Sequence, residues 1–210
     1  MEIKQIKLTP NTSWQTQQLK QIESYARINF IPVLLPDTAT LLYKTLGENQ
    51  PIRILEIGTA IGYSGTIILN TCPDANLTTI EVDENSYLVA EKHFEQFNLT
   101  NRVTQHLGDA LTVLEQLANN DEKFDFVFLD GPKGQYIKYL PFITTILNKG
   151  GIIFADNVLF RHMVDGPEFV PHKHRTLVVN LRKYLNEVST PDWQTEILDI
   201  GDGVAISKKL

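Results

Sequence analysis

Two short polar clusters, each placed directly after a run of apolar residues, contain the side chains best suited to chemistry in this sequence. The first is Asp130-Gly131-Pro132-Lys133, which follows residues 126–129, and the second is Asp156-Asn157, which follows residues 152–155. In an open α/β sheet, ligands bind beyond the carboxyl ends of the strands. If the two apolar runs are neighbouring strands, two carboxylates, one amide oxygen and one ammonium group meet at one edge. This set suits a hard divalent cation with a base beside it.

Length and composition favour a single soluble domain. The chain has 210 residues, of which 42% are hydrophobic, and this is enough to bury one good core. The formal net charge of −6 is typical of a cytoplasmic protein and argues mildly against a surface devoted to nucleic acid. Cys72 is the only cysteine, which excludes a disulfide framework and a cysteine-rich metal site. Because no signal peptide or membrane-spanning stretch is recognisable, we expect a cytoplasmic protein without a membrane partner.

Apolar runs that alternate with amphipathic stretches predict an α/β fold in which helices separate the first five of seven strands. The predicted strands are residues 52–57, 77–82, 103–107, 124–129 and 152–155, followed by a hairpin of residues 193–199 and 203–208. The predicted helices lie within residues 13–48, with a break around Pro32 and Pro36, and at 63–70, 85–97, 110–117, 135–147 and 173–188. Residues 157–171 are expected to form a loop over the site. We divide the single domain, residues 1–210, into N-terminal helices (1–50) and a core (51–210).

The turn after the first predicted strand, residues 56–62, is a candidate cofactor site. Its glycines, Gly58 and Gly62, allow the backbone to approach a ligand, although an ordinary tight turn explains them equally well. The spacing is not G-x-G-x-x-G, which argues against a dinucleotide and therefore against an NAD-dependent dehydrogenase. Glu81, at the end of the next strand, is suited to bind ribose hydroxyls. Glu56 beside the turn favours a cofactor with positive charge over one with phosphates.

The segment Leu55-Glu56-Ile57-Gly58-Thr59-Ala60-Ile61-Gly62-Tyr63-Ser64 resembles the first motif of S-adenosylmethionine-dependent methyltransferases. More narrowly, it is similar to the metal-dependent O-methyltransferase family that includes the catechol and caffeoyl-CoA enzymes. The resemblance implies the Rossmann-like class I methyltransferase fold, with a mostly parallel seven-stranded sheet and helices on both faces. It also implies a set of cofactor-binding residues: Glu56, Gly58, Gly62, Tyr63, Ser64, Glu81, Asp109, Ala110 and Asp130. For Asp109, a helix N-cap is a second role compatible with the first.

The same resemblance gives specific roles to the two polar clusters, residues 130–133 and 156–157. Asp130, Asp156 and Asn157 correspond to the family's metal ligands, and Mg²⁺ prefers such oxygen ligands. Calcium and manganese remain open, because ligand type alone does not distinguish them. Lys133 corresponds to the catalytic base that takes a proton from the acceptor hydroxyl before it attacks the sulfonium methyl. Taken singly, the aspartates are also explained as turn or loop starts and Lys133 as a surface charge.

The acceptor is predicted from a narrower resemblance. Residues 22–27, 31–32, 133–136 and 156–161 look like bacterial tRNA 5-hydroxyuridine methyltransferases, which implies the wobble base of a tRNA anticodon loop as acceptor. Arg27, Tyr136 and Arg161 are the candidate substrate contacts, and packing of the following helix is an equal alternative for Tyr136. The alternative function is an O-methyltransferase of small catechol-like or phenolic molecules. A homodimer is expected because relatives are commonly dimers.

Overall fold

The computed structural model describes residues 2–8, 13–166 and 170–210. The strands are β1 (Ile3–Lys4), β2 (Arg53–Ile57), β3 (Asn76–Glu81), β4 (Val103–Leu107), β5 (Phe124–Leu129), β6 (Leu147–Asp156), β7 (Trp193–Leu198) and β8 (Val204–Lys209). The helices are α1 (Gln17–Ile28), α2 (Pro36–Asn49), α3 (Tyr63–Thr71), α4 (Glu84–Gln96), α5 (Ala110–Asn119), α6 (Tyr136–Ile146) and α7 (Arg175–Glu187). Within the described residues, none of these helices has the length and apolarity needed to cross a membrane.

The chain forms two compact units. One of them comprises residues 8–113. Its three strands run parallel in the order β2-β3-β4. The register places Glu56 of β2 opposite Thr79 of β3. After its first residue, β2 is buried, as expected for a parallel strand covered on both faces.

Helices α1 and α2 begin and end where the local sequence dictates. The Thr16 hydroxyl caps α1 by accepting a hydrogen bond from the Leu19 amide at 3.3 Å. Pro36 opens α2, where its missing amide hydrogen costs nothing, and Gln50 ends that helix in the left-handed conformation with φ of 43°. The break predicted around Pro32 and Pro36 is therefore confirmed.

The second unit comprises residues 2–7 and 114–210. Its strand order is β1-β7-β8-β6-β5, in which β5 and β6 are parallel and β8 runs antiparallel to both β6 and β7. The rings of Phe126 and Phe128 both pack against the ring of Phe154 in the core. The predicted C-terminal hairpin is confirmed.

Three details of the predicted fold differ from the structure. The described residues contain eight strands, not seven, because Ile3–Lys4 pairs in parallel with β7. Strand β6 begins at Leu147 rather than Ile152, since its pairing with β5 continues through an irregular register between Leu147 and Ile152, a stretch in which Gly150 has φ of 80°. The helix expected at 173–188 begins as a 3₁₀ turn, His172–His174, before α7.

Candidate active site

The carboxylates of the two polar clusters, Asp130 and Asp156, lie at the ends of adjacent strands. Leu129 of β5 pairs with Ala155 of β6, so the next residues, Asp130 and Asp156, follow at the same level of the sheet. Asp156 is only 4% exposed. The prediction that both apolar runs are neighbouring parallel strands is confirmed, and it explains why these two acids lie near each other.

Both acids are held in an environment that disfavours their charged forms. Burial, together with the nearby Asp130 carboxylate, raises the pKa of Asp156 to about 7, although the backbone amide of Asn157 and the charge of Lys133 act in the opposite direction. Burial also raises the pKa of Asp130, although Lys133 partly offsets this by its charge and hydrogen bond. A cation placed beside these two acids would therefore be stabilised, since it would favour their ionised forms.

Lys133 lies directly against this pair. Its Nζ donates a hydrogen bond to Asp130 Oδ1 at 2.5 Å, and both side chains are partly exposed. The 3₁₀ turn Lys133–Gln135 brings the ammonium group back toward the end of β5. The structure therefore brings together an amine and a carboxylate that are three residues apart in sequence.

Tyr136 and Asn157 hold the two strand ends in place. The fully buried Tyr136 hydroxyl is within hydrogen-bonding distance of two carbonyl oxygens, those of Leu129 at 3.0 Å and Asp156 at 3.1 Å. The backbone amide of Asn157 donates to Asp156 Oδ1 at 2.8 Å, and Asn157, with φ of 56°, turns the chain sharply after β6. The structure thus gives Tyr136 the packing role rather than substrate contact, because none of its surface is exposed.

The donor set at these strand ends consists of two carboxylates and the amide side chain of Asn157. Among the described residues, no group of three or more His, Cys, Asp or Glu side chains could hold a metal ion. The set at these strand ends has only two such side chains, Asp130 and Asp156, because the third member, Asn157, is an asparagine. They still fit Mg²⁺, which is commonly held by one or two carboxylates and keeps several water ligands.

In the other unit, Glu81 joins the two turns that follow β2 and β3. Its Oε2 accepts from the Ala60 amide at 2.8 Å, and its Oε1 accepts from the Val82 and Asp83 amides at 2.8 and 2.9 Å. A carboxylate offers about four lone-pair positions, so capacity remains for a ribose hydroxyl. The predicted ribose acid is thus fixed by the backbone of the predicted cofactor turn.

The glycines of this turn have backbone conformations that require them. Gly62 has φ of 81°, and an added Cβ would lie 3.1 Å from the Phe94 ring. Gly58 has φ of 104° and donates its amide hydrogen to the Ile80 carbonyl at 3.0 Å. A side chain at either position would strain the turn from which α3 begins.

A buried carboxylate lies beneath the same turn. Glu56 is fully buried, and its Oε1 accepts from the Ser64 hydroxyl at 2.5 Å. Its Oε2 accepts from the Thr79 hydroxyl at 2.6 Å. Thr79 was not among the predicted residues. The signal that would have identified it is its register opposite Glu56, which depends on knowing the strand pairing.

Tyr63, the other predicted residue of this segment, is tied to α1. Its hydroxyl donates to Glu23 Oε1 at 2.6 Å. Burial is the main reason that the pKa of Tyr63 is raised well above its ordinary value, and the Glu23 carboxylate adds to the shift. The hydroxyl is therefore a permanent donor. Glu23 was also missed from sequence, because it lies 40 residues away from its partner.

Asp109 caps α5, as one of its two predicted roles required. Its Oδ1 accepts from the Leu111 and Thr112 amides at 3.0 and 3.2 Å. The neighbouring Ala110 is buried. A role for either residue at an adenine ring stays a prediction.

The two arginines predicted to contact substrate are both exposed. Arg27 lies in the last turn of α1. The Arg161 amide donates to Asp202 Oδ1, and its guanidinium lies 5.9 Å from the centre of the Phe160 ring. That ring also meets His174 edge-on at 5.3 Å. Contact of Arg27 and Arg161 with a substrate stays a prediction.

Known proteins of similar sequence and structure identify the class. The crystal structure of a Staphylococcus aureus protein has a TM-score of 0.84, 29% identity and 95% coverage of both chains. An O-methyltransferase from Bacillus cereus, solved with S-adenosylhomocysteine, has the same fold, with a TM-score of 0.82, 23% identity, and coverage of 97% of this chain and 93% of that one. The architecture is the Rossmann-like α/β fold of class I methyltransferases.

The family follows from the sequence comparisons. The family model for O-methyltransferases matches residues 20–210. The caffeoyl-CoA O-methyltransferase of Stellaria longipes is 26% identical over 208 residues, which is 96% of this chain and 86% of that protein. The chain belongs to the O-methyltransferase family and is an S-adenosylmethionine-dependent enzyme of the caffeoyl-CoA O-methyltransferase type.

Proposed function

We propose that this enzyme transfers a methyl group from S-adenosylmethionine to a phenolic hydroxyl that has a second oxygen on the adjacent carbon, with a divalent cation held by Asp130, Asp156 and Asn157. The observation that carries this proposal is the pairing of Asp130 and Asp156 at adjacent strand ends with Lys133 Nζ 2.5 Å from Asp130. Such a group is suited to taking the proton of an acidic hydroxyl.

The residues present fit a hard cation. Burial raises the pKa values of both aspartates, and the Asp130 carboxylate adds to the shift of Asp156, so a cation there would relieve an unfavourable arrangement of charge. When bound, a divalent cation makes an adjacent hydroxyl more acidic by stabilising its anion. Two neighbouring oxygens of one acceptor suit the open positions of such an ion.

Lys133 then acts on the acceptor proton. In the present arrangement Nζ is a hydrogen-bond donor to Asp130. To act as base, the neutral amine must accept the acceptor's hydroxyl hydrogen, which leaves the oxygen with its electron pair. That pair forms the new oxygen–carbon bond as the sulfur–carbon bond breaks, giving S-adenosylhomocysteine and a methyl ether, and the proton stays on Lys133.

Cofactor binding is assigned to residues of the other unit. The Glu81 carboxylate is suited to the ribose hydroxyls, and the turn of Gly58 and Gly62 to the methionine part. Glu56 supplies a buried negative charge beside a cofactor whose sulfonium and ammonium groups are positive. The charge on these residues thus fits S-adenosylmethionine better than a phosphate-rich dinucleotide.

The acceptor we favour is a small phenol. The similarity to the caffeoyl-CoA O-methyltransferase of Stellaria longipes supports this choice, since a caffeoyl group is phenolic. The test compares catechol with resorcinol, which carries the same two hydroxyls on non-adjacent carbons, and measures S-adenosylhomocysteine by mass spectrometry. Turnover of catechol alone is expected. Equal turnover of both compounds would overturn the requirement for adjacent oxygens.

A second candidate acceptor is the 5-hydroxyl of wobble 5-hydroxyuridine in tRNA. Exposed basic side chains near the start of α7 support it, since they are suited to phosphate contacts: Arg161, Lys173 and Arg175. The base offers the same chemistry, because its 5-hydroxyl and 4-carbonyl oxygens are adjacent. Nucleoside mass spectrometry of tRNA from a deletion strain tests it. Accumulated 5-hydroxyuridine would support the tRNA role, and an unchanged profile would exclude it.

We also propose a homodimer. The end of α1 presents exposed apolar side chains, among which Phe30 is 94% exposed and Ile28 is 73% exposed. Covering such surface is favourable in water. Light scattering coupled to size-exclusion chromatography tests the proposal, and a mass of one chain at micromolar concentration would contradict it.

A further inference from the structure

One buried hydroxyl connects the ends of the two strands that lead into Asp130 and Asp156. Tyr136 is the first residue of α6, and its side chain has no exposed surface. Its hydroxyl oxygen lies 3.0 Å from the carbonyl oxygen of Leu129 and 3.1 Å from that of Asp156. Tyr184 of α7 meets the Tyr136 ring edge-on, with the ring centres 5.6 Å apart. Because the ring is packed in this way, the hydroxyl is held against both strand ends.

The contact with Leu129 restricts the backbone from which Asp130 starts. A peptide unit is planar, so its carbonyl oxygen and the following Cα lie in one rigid plane. The Leu129 carbonyl belongs to the unit that ends at the Cα of Asp130. A hydrogen bond from Tyr136 to this oxygen therefore opposes rotation of the unit, and it limits the positions that the Asp130 side chain can take.

The contact with Asp156 acts in the same way on the peptide unit between Asp156 and Asn157. The carbonyl oxygen of this unit meets the Tyr136 hydroxyl, and its N–H donates to Asp156 Oδ1 at 2.8 Å. The unit is thus held at both of its polar groups, and it connects the two other residues proposed to bind the cation. One hydroxyl therefore acts on the backbone of all three.

We infer that Tyr136 is a positioning residue whose hydroxyl holds the three proposed cation ligands in the arrangement that Mg²⁺ requires, and so favours Mg²⁺ over Ca²⁺. The inference rests on the proposed function, in which Asp130, Asp156 and Asn157 bind the cation. Mg²⁺ demands a nearly octahedral arrangement of ligands, whereas Ca²⁺ accepts more oxygens at longer and less regular distances. Looser strand ends should therefore weaken the binding of Mg²⁺ more than that of Ca²⁺. Tyr136 itself is fully buried and acts only through the backbone.

The test measures cation binding by Tyr136→Phe, which keeps the ring and removes only the hydroxyl. Mn²⁺ is the probe, because the free ion has an electron paramagnetic resonance signal that is lost on binding, and Mg²⁺ or Ca²⁺ is then added to displace it. Loss of a group that orients metal ligands weakens binding by roughly 10–100-fold, so we expect the dissociation constant for Mg²⁺ to rise about tenfold. The dissociation constant for Ca²⁺ should rise less than about twofold, since Ca²⁺ tolerates irregular geometry.

The neighbouring Tyr184 provides the matched control. It is also fully buried, but its hydroxyl has no hydrogen-bond partner among the described residues. Tyr184→Phe should therefore bind Mg²⁺ and Ca²⁺ as the wild type does. If Tyr136→Phe does not fold, 4-fluorophenylalanine is placed at position 136 instead, where the fluorine fills the space of the hydroxyl but donates no hydrogen bond. The same selective loss of Mg²⁺ binding is expected.

Two kinds of result would contradict these expectations. Equal weakening of Mg²⁺ and Ca²⁺ binding, or no weakening of either, would overturn the inference, and so would a selective loss of Mg²⁺ binding in Tyr184→Phe. Failure of the wild type to bind any of the three cations would instead overturn the proposed function.

Discussion

The replacement Asp156→Asn tests the electrostatics of the two strand-end acids through stability. Burial and Asp130 raise the pKa of Asp156 to about 7 in the folded protein, whereas an aspartate in an unfolded chain has a pKa of about 3.9. The stability that protonated Asp156 provides is complete below about pH 4 and is lost as the pH rises through about 7. Without a divalent cation, the wild type should therefore be less stable than Asp156→Asn at pH 8 and similar to it near pH 4.

The size of the effect follows from the shift. About three pH units correspond to roughly 4 kcal/mol as an upper limit. Relaxation and water entry reduce this, so we expect Asp156→Asn to gain about 1–2 kcal/mol at pH 8, or about 2–8 °C in Tm for a chain of this size. The asparagine at position 156 keeps an oxygen that can accept the hydrogen bond from the backbone amide of Asn157, which is 2.8 Å long in the wild type.

The assay is thermal unfolding in EDTA at pH 4.5 and pH 8. The exposed Asp192 supplies the control, since Asp192→Asn also removes one negative charge and should leave Tm unchanged within about 1 °C. A variant no more stable than the wild type at pH 8 would refute the reasoning, and so would an equal gain at both pH values.

Three further outcomes are expected. Lys133→Met should lower kcat at least about 10²-fold and leave S-adenosylhomocysteine binding unchanged, whereas the exposed Lys138→Met should change neither; unaltered kcat would contradict the base assignment. Arg102→Ala should lower the free energy of chemical unfolding by about 2–3 kcal/mol, since the Arg102 guanidinium donates to four backbone carbonyls at the end of α3 at 3.0–3.4 Å. Lys44→Ala, at an exposed position, is the control, and an equal loss in both variants would contradict the role of Arg102 in capping α3. Cys72 should resist thiol reagents at pH 8 until the protein unfolds, because burial raises its pKa to about 11, and rapid labelling of the native protein would show that this is wrong.

The main site pattern could be predicted from the sequence because it depends on strand ends. A parallel strand buried on both faces is a continuous apolar run, and the first polar residue after it marks its carboxyl end. Asp130 and Asp156 were found this way, and the register of β5 and β6 brings them together. Glycines at required backbone conformations, such as Gly62, are visible in sequence for a similar reason.

Contacts that depend on register or on distant pairs could not be predicted. Thr79 lies 23 residues from Glu56, and only the pairing of β2 with β3 brings the two side chains together. Strand β1 has two residues, which is too short for any alternation of apolar and polar side chains. Tyr136 was ambiguous because a tyrosine in sequence does not reveal whether its hydroxyl meets substrate or, as here, buried carbonyls.

The central claim is that a divalent cation at Asp130 and Asp156 is required for methyl transfer. The most direct measurement follows methylation of catechol by EDTA-treated enzyme as Mg²⁺ is added, with Asp156→Ala measured beside the wild type. We predict that wild-type activity is absent in EDTA and returns with Mg²⁺, while Asp156→Ala stays inactive but binds S-adenosylhomocysteine normally. Full wild-type turnover in EDTA, or full activity of Asp156→Ala, would contradict it.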